Sequence, residues 1–132
     1  MRIFCTIFAF MLLISLGTGE AKAQSRSQTL NAVVKAIQTG NSNLLASYFS
    51  SRVELTIVNQ RNLYSPQQAK FVMREFFGTY PPSSFNIKHT GNTGSTTYAL
   101  GSFISSRGSF EVNIFIKSEG SGYRVSNIRI GR

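Results

Sequence analysis

This 132-residue chain has a single cysteine, a single histidine, no tryptophan and no aspartate, and its five acidic side chains are all glutamate. One cysteine excludes an intrachain disulfide, so the stability of the fold has to come from packing. Zinc and iron sites draw three or four ligands from Cys, His, Asp and Glu, and that supply is nearly empty; no metal and no cofactor is expected. Long apolar runs are equally scarce. The longest, Ile3 to Leu16, has 14 mainly apolar residues, against the roughly 20 that a helix needs to cross the hydrocarbon of a membrane.

That short run carries a different message. Arg2 precedes it and Ala21-Lys22-Ala23 follows, the charged start, apolar middle and small-residue exit of a secretory signal peptide. Cleavage is expected after Ala23, with residues 24–132 as one mature domain that is secreted or periplasmic. Cys5 lies inside the run, not just after it, so it does not fit a lipoprotein acylation site. Removing residues 1–23 takes away Arg2, Glu20 and Lys22; the remaining 109 residues carry 12 basic and four acidic side chains, a net charge of +8. The basic residues are scattered without a block or an aromatic-interleaved motif. They suit solubility and attraction to an anionic envelope better than a nucleic-acid site.

From Ser27 the spacing predicts a helix, with Leu30, Val33, Val34 and Ile37 on one stripe and Gly40 at its end. Asn43 is a candidate cap for a short second helix through Leu44, Leu45, Tyr48 and Phe49. Val53, Leu55 and Ile57 alternate as a strand, Asn59 to Asn62 read as a polar turn, and Leu63-Tyr64 as a brief return. Ser65-Pro66-Gln67-Gln68 combines a capping residue, a proline at the first helical position and a Gln three residues after the Ser. The helix it opens has Ala69, Val72, Met73 and Phe76 on one face, widened by Phe71 and Phe77, and is expected to be largely buried before Gly78 and Pro81-Pro82 stop it. The remainder predicts an antiparallel meander over residues 85–90, 96–104, 109–117 and 123–130. Phe110, Val112, Ile114 and Ile116 alternate with Glu111, Asn113, Phe115 and Lys117, as a sheet covered on one face requires. The last strand changes phase between Val125 and Ile128, which predicts a β-bulge near Ser126-Asn127 and a bent sheet.

Helices, a strand, a long helix and then a curved sheet define an α+β cone. The order resembles the nuclear transport factor 2-like fold, also called cystatin-like. More closely, Tyr64-Ser65-Pro66-Gln67-Gln68-Ala69, Phe76-Phe77, Pro81-Pro82-Ser83-Ser84-Phe85, His89-Thr90-Gly91, Tyr98-Ala99-Leu100-Gly101 and Phe110-Glu111-Val112 are similar to a family of small secreted proteins, chiefly from Bacteroidota, to which no activity is assigned. The wider superfamily implies three kinds of role: pockets that only bind, isomerase-like or dehydratase-like enzymes, and sheet-face dimers. Its isomerase-like members use an Asp or comparable carboxylate with an oxyanion donor. This chain has no Asp, and no catalytic residue is assigned.

The candidate ligand-binding residues are His89, Tyr64, Tyr98 and Tyr48. His89 alternates in phase with Phe85 and Ile87, which points it into the concave side of the sheet, where an imidazole can hold a ligand or move a proton. The alternative is a histidine that tethers the adjacent Gly/Asn turn. The tyrosines offer an apolar body with one polar tip, suited equally to a pocket mouth and to core packing. Lys70 and Arg74, four apart, read as a solvated helix ridge. Three readings follow. The first is a non-enzymatic binding module with a small pocket between helices and sheet for an apolar or amphipathic molecule. The second is an isomerase-like or dehydratase-like enzyme using His89. The third is an envelope interaction domain, or a homodimer through the sheet face that carries Phe115.

Overall fold

The computed structural model describes residues 19–132, with side chains from Arg26 onward. Most of the expected signal peptide lies outside the described residues; the expected cut after Ala23 falls within the first helix, α1 (Gly19–Thr39), which begins eight residues before Ser27. The apolar stripe lands as its spacing requires. Val33, Ala36 and Ile37 are buried, and Leu30 and Val34 pack half-buried against them. Gly40 ends the helix at φ 64°. Its N–H donates to the Ile37 carbonyl while the Asn41 N–H reaches the Ala36 carbonyl, at 3.2 and 2.8 Å, the paired bonds of a Schellman turn, which needs a left-handed residue at that point.

The second helix, α2 (Ser42–Ala46), is capped by Asn41, not by Asn43. The same tight turn that closes α1 leaves Asn41 in an extended conformation, and its Oδ1 accepts from the Leu44 N–H at 3.0 Å. Helix α2 is also shorter than expected: Tyr48 lies in a turn and Phe49 opens the strand β1 (Phe49–Ile57). The segment expected as a polar turn is a strand, β2 (Gln60–Tyr64), joined to β1 through Val58 and Asn59. It is the edge of the sheet and buries almost nothing, so its sequence carries no apolar alternation.

Helix α3 (Pro66–Thr79) starts with the expected capping box: Ser65 Oγ accepts from the Gln68 N–H, and Gln68 Oε1 accepts from the Ser65 N–H. It is amphipathic, not largely buried. Ala69, Met73, Phe76 and Phe77 face the core, while Phe71 is 51% exposed on the opposite side.

The meander follows as β3 (Pro82–Thr93), β4 (Thr96–Ser105), β5 (Gly108–Glu119) and β6 (Gly122–Gly131). All six strands form one sheet in the order β2-β1-β6-β5-β4-β3. Every pairing is antiparallel except that of β1 with β6, which is parallel. The bulge expected near Ser126 is present: Phe115 pairs with Asn127 and Ile116 with Val125, leaving Ser126 as the extra residue.

The helices lie on the face formed by Val53, Leu55, Phe103, Phe110, Val112, Ile114, Ile116, Val125, Ile128 and Ile130, all of which are buried. Gln38 Nε2 on α1 donates to the Phe85 carbonyl of β3 at 3.0 Å, and Arg124 on β6 donates to the Ser47 carbonyl beyond α2 at 2.6 Å. These two bonds fix the helical layer to both ends of the meander. Between the layers, Phe76 meets Phe103 and Phe110 with ring centroids 5.5 and 5.4 Å apart, and Phe103 also faces Phe77 and Phe85. Aromatic side chains therefore fill the space between α3 and the strands beneath it.

Candidate functional site

A second bulge decides where the only histidine points. Along β3 and β4 the partners run Phe85 with Phe103, Asn86 with Ser102 and Ile87 with Gly101, and then shift so that His89 pairs with Leu100. Lys88 is the extra residue. Opposed residues share a face, so the extra residue reverses the alternation: Phe85 stays on the core side, while His89 joins Leu100 on the face away from the helices. The expectation that His89 points into the concave side is therefore corrected. Its side chain is exposed, and its Nε2 lies 3.3 Å from the Tyr98 hydroxyl.

The four candidate binding residues separate accordingly. His89 and Tyr98 come together on the face that none of the described helices covers, the helix-free face, with ring centroids 5.7 Å apart. Tyr64 pairs with Val53 at the far edge of the sheet, and Tyr48 sits after α2; both pack half-buried against the core on the helix side. No single site gathers all four. The tether alternative named the adjacent Gly/Asn turn; among the described residues the His89 imidazole instead meets the Tyr98 phenol of the neighbouring strand.

The helix-free face has a composition of its own. Reading across the strands, one row is Leu63, Glu54, Asn127, Phe115, Tyr98 and Gly91; the next is Arg61, Thr56, Arg129, Asn113, Leu100 and His89. Phe115 and Tyr98 are opposed on β5 and β4, and the Arg129 guanidinium lies over the Phe115 ring at 5.5 Å. Gly91 leaves the room beside them that Tyr98 uses. A Cβ at that position would stand 2.4 Å from Tyr98 ring and hydroxyl atoms, so the phenol lies flat across the glycine. Tyr98, Leu100 and Phe115 are thus half-buried among their neighbours, and Leu63 and Ile104 are exposed at the margins.

Glu54 anchors the polar end of this band. Its carboxylate accepts from Arg61 Nη2 at 2.9 Å and from Asn127 Nδ2 at 3.1 Å. The hydrogen bond from Arg61 is the main reason its pKa lies below the ordinary 4.5; partial burial opposes this, and the Arg61 charge, the Asn127 bond and the Arg129 charge reinforce it. A lowered carboxyl pKa contributes stability that is complete above the unfolded value and lost as pH falls through the folded one. In urea melts between pH 7 and pH 3, the advantage of the native protein over Glu54→Gln is expected to hold down to about pH 4.5 and to shrink below it. A difference between the two that does not change with pH would refute the pairing.

Sequence reasoning found Phe115 on this face but missed Leu100, Arg129 and Asn127. Leu100 has a usable signal, since it alternates with Tyr98 across the buried Ala99. Arg129 and Asn127 have one too, since they alternate with the buried Ile128 and Ile130 beyond the expected bulge at Ser126. Among the described residues there is no group of three His, Cys, Asp or Glu side chains placed to hold a metal, and no helix long and apolar enough to cross a membrane.

The family model for a domain of unknown function, DUF4783, matches residues 30–131. A crystal structure of a DUF4783 protein from Bacteroides ovatus is 30% identical, with a TM-score of 0.74, covering 76% of this chain and 92% of that one. An uncharacterised cystatin-fold protein from Novosphingobium aromaticivorans superposes with a TM-score of 0.63 at 14% identity, over 80% of this chain and 96% of its own. The protein called Rd1NTF2_04 with long sheet gives 0.65 at 15% identity, over 80% and 98%. These last two likenesses are of fold alone. No curated protein matches the sequence.

Proposed function

This chain belongs to the DUF4783 family, with an NTF2-like, cystatin-like fold, and we propose that it is a non-catalytic binding module whose working surface is the helix-free face of the sheet, engaged by a second copy of the chain. The observation that carries this reading is the opposed pair Tyr98 and Phe115, with Arg129 stacked on the phenylalanine and Leu100 alongside. Tyrosine, phenylalanine and arginine around a desolvated centre are the composition of interface hot spots. Both ion pairs found among the described residues, Arg61 with Glu54 and Lys88 with Glu111, lie on this face. Each pair is neutral in itself, so these two cations add nothing to the net positive charge that opposes self-association. A patch that carries both signs around an apolar centre can be complementary to itself about a two-fold axis.

The other two readings have less support. The enzymatic one needs His89 in an enclosed site with an acid or base partner, and its partner is the Tyr98 phenol on an open face. Beneath α3, the core-pocket one needs space that Phe76, Phe77, Phe103 and Phe110 occupy. Release into the periplasm or medium, expected from residues 1–23, would put the face where another envelope copy can meet it.

Sedimentation equilibrium across a micromolar concentration series tests the reading. The mass is expected to rise from one chain to two, and the Tyr98→Ser/Phe115→Ser variant to weaken the association by about 30-fold or more while keeping its circular dichroism. A native protein that stays monomeric throughout would overturn it, as would a folded double variant that associates equally well.

A further inference from the structure

A separate cleft lies on the helix side, where α1 crosses the far end of the β3–β4 hairpin. Its volume is about 170 Å³, and it is lined by Arg26, Ser27, Leu30, Thr90, Gly91, Asn92 and Thr97. The bulge at Lys88 creates it. Beyond that point the helix-side positions of β3 are Thr90 and Asn92, both exposed, opposed by the buried Ala99 and Thr97 of β4, so the apolar lining gives way to hydroxyls and an amide at an open margin.

The donors and acceptors in this cleft do not balance. Asn92 Oδ1 accepts from Thr97 Oγ1 at 2.7 Å and from Arg26 Nη1 at 3.4 Å. Because guanidinium only donates, the amide oxygen has to face Arg26, which turns the Asn92 NH2 away as a donor. The remaining Arg26 contacts are a 3.4 Å bond from Nη2 to the Tyr123 hydroxyl and the Tyr123 ring face at 5.0 Å. Its Nε is buried without a hydrogen-bond partner among the described residues. Among the described residues, this half-buried guanidinium holds two long bonds to neutral oxygens and no carboxylate. Such a cation is under-satisfied, since charge-assisted partners bind it shorter and more strongly.

We propose that this cleft binds a small carboxylate with a short aliphatic tail. Nη1 and Nη2 each carry a second N–H beside those used on Asn92 and Tyr123, and that end-on pair matches a planar carboxylate in two-point geometry, while the buried Nε lies out of a ligand's reach. Asn92 Nδ2 and the hydroxyls of Ser27 and Thr90 supply further donors, and Leu30 gives the tail an apolar wall. The cleft is small, on the scale of a ligand of a few non-hydrogen atoms such as propionate. The site is independent of the sheet-face reading, from which the β-sheet itself separates it.

The test uses the isotopically labelled full chain at fixed ionic strength, titrated with propionate, with propionamide as the uncharged match and with inorganic phosphate. Propionate is expected to give saturable amide shifts confined to residues 26–30, 90–92 and 97. Propionamide and phosphate are expected to give weaker responses or none. Arg26→Gln is expected to weaken propionate binding by about tenfold or more, and Thr90→Val, which leaves the guanidinium in place, to weaken it less. Equal responses to propionate and propionamide would overturn the proposal, as would stronger binding of phosphate. So would folded Arg26→Gln binding propionate like the native protein; if that variant does not fold, undiminished binding by Thr90→Val together with shifts outside the cleft would do the same.

Discussion

Replacing Phe103 with alanine is expected to cost about 3–5 kcal/mol, the range for truncating a fully buried aromatic. Phe103 has no exposed surface. Its ring centroid lies 5.5 Å from that of Phe76, 6.4 Å from Phe77, 6.5 Å from Phe85 and 6.3 Å from Phe110. It therefore joins α3 to three strands, and the surrounding rings cannot all move inward to close the gap left by its removal. Part of the cost is lost transfer energy and part is the cavity. Against a domain stability of about 5–15 kcal/mol, this is a large fraction. Thermal melts should show the midpoint falling by roughly 12–40 °C, at 4–8 °C per kcal/mol for a domain of this size. A fall under about 5 °C would show that the inter-layer space is not packed around this residue.

The second large effect is expected at Gly101, where adding one methyl group is the whole perturbation. A Cβ there would stand 2.5 and 2.7 Å from two Phe85 ring carbons and 3.0 Å from the Asn86 carbonyl oxygen. Phe85 is 1% exposed, so its ring has no free volume into which to swing. Gly101 is not among the residues at positive φ, and alanine suits its backbone. The cost therefore measures the close approach alone, about 1–3 kcal/mol for overpacking a core. Two comparisons isolate the cause. Gly122→Ala, where a Cβ would meet nothing within 4 Å, is expected to leave the melting temperature unchanged, and Phe85→Leu should recover part of the loss in the Gly101→Ala background. Additive losses in the double variant would contradict the ring-on-glycine contact.

Both positions show which parts of the architecture can be read from sequence. Strands β4 and β5 alternate plainly because one face is buried against helices, and α3 announces itself through Ser65, Pro66 and Gln68. What could not be read has a common physical cause. Alternation is a local signal, and one extra residue reverses everything downstream of it. At Ser126 the bulge falls between apolar residues, Val125 and Ile128, so the phase change is visible. At Lys88 it is followed by His89, Thr90 and Gly91, whose polarity does not declare a face, and His89 is assigned to the wrong side. Strand β2 was hidden for a different reason, since an exposed edge strand has no buried set to alternate. The candidate surface inherits these limits: Phe115 and Tyr98 are individually visible, but their opposition depends on strand register.

The central claim is that the helix-free face, and not the helix-covered interior, is the contact surface. Hydroxyl-radical footprinting of the full chain, read residue by residue at concentrations below and above the association midpoint, tests it most directly. Oxidation of Tyr98 and Phe115 is expected to fall together as concentration rises, while Phe71, exposed on α3, stays constant as an internal reference. Protection of Phe71 with unchanged Tyr98 and Phe115 would place the contact on the helical layer and contradict the account.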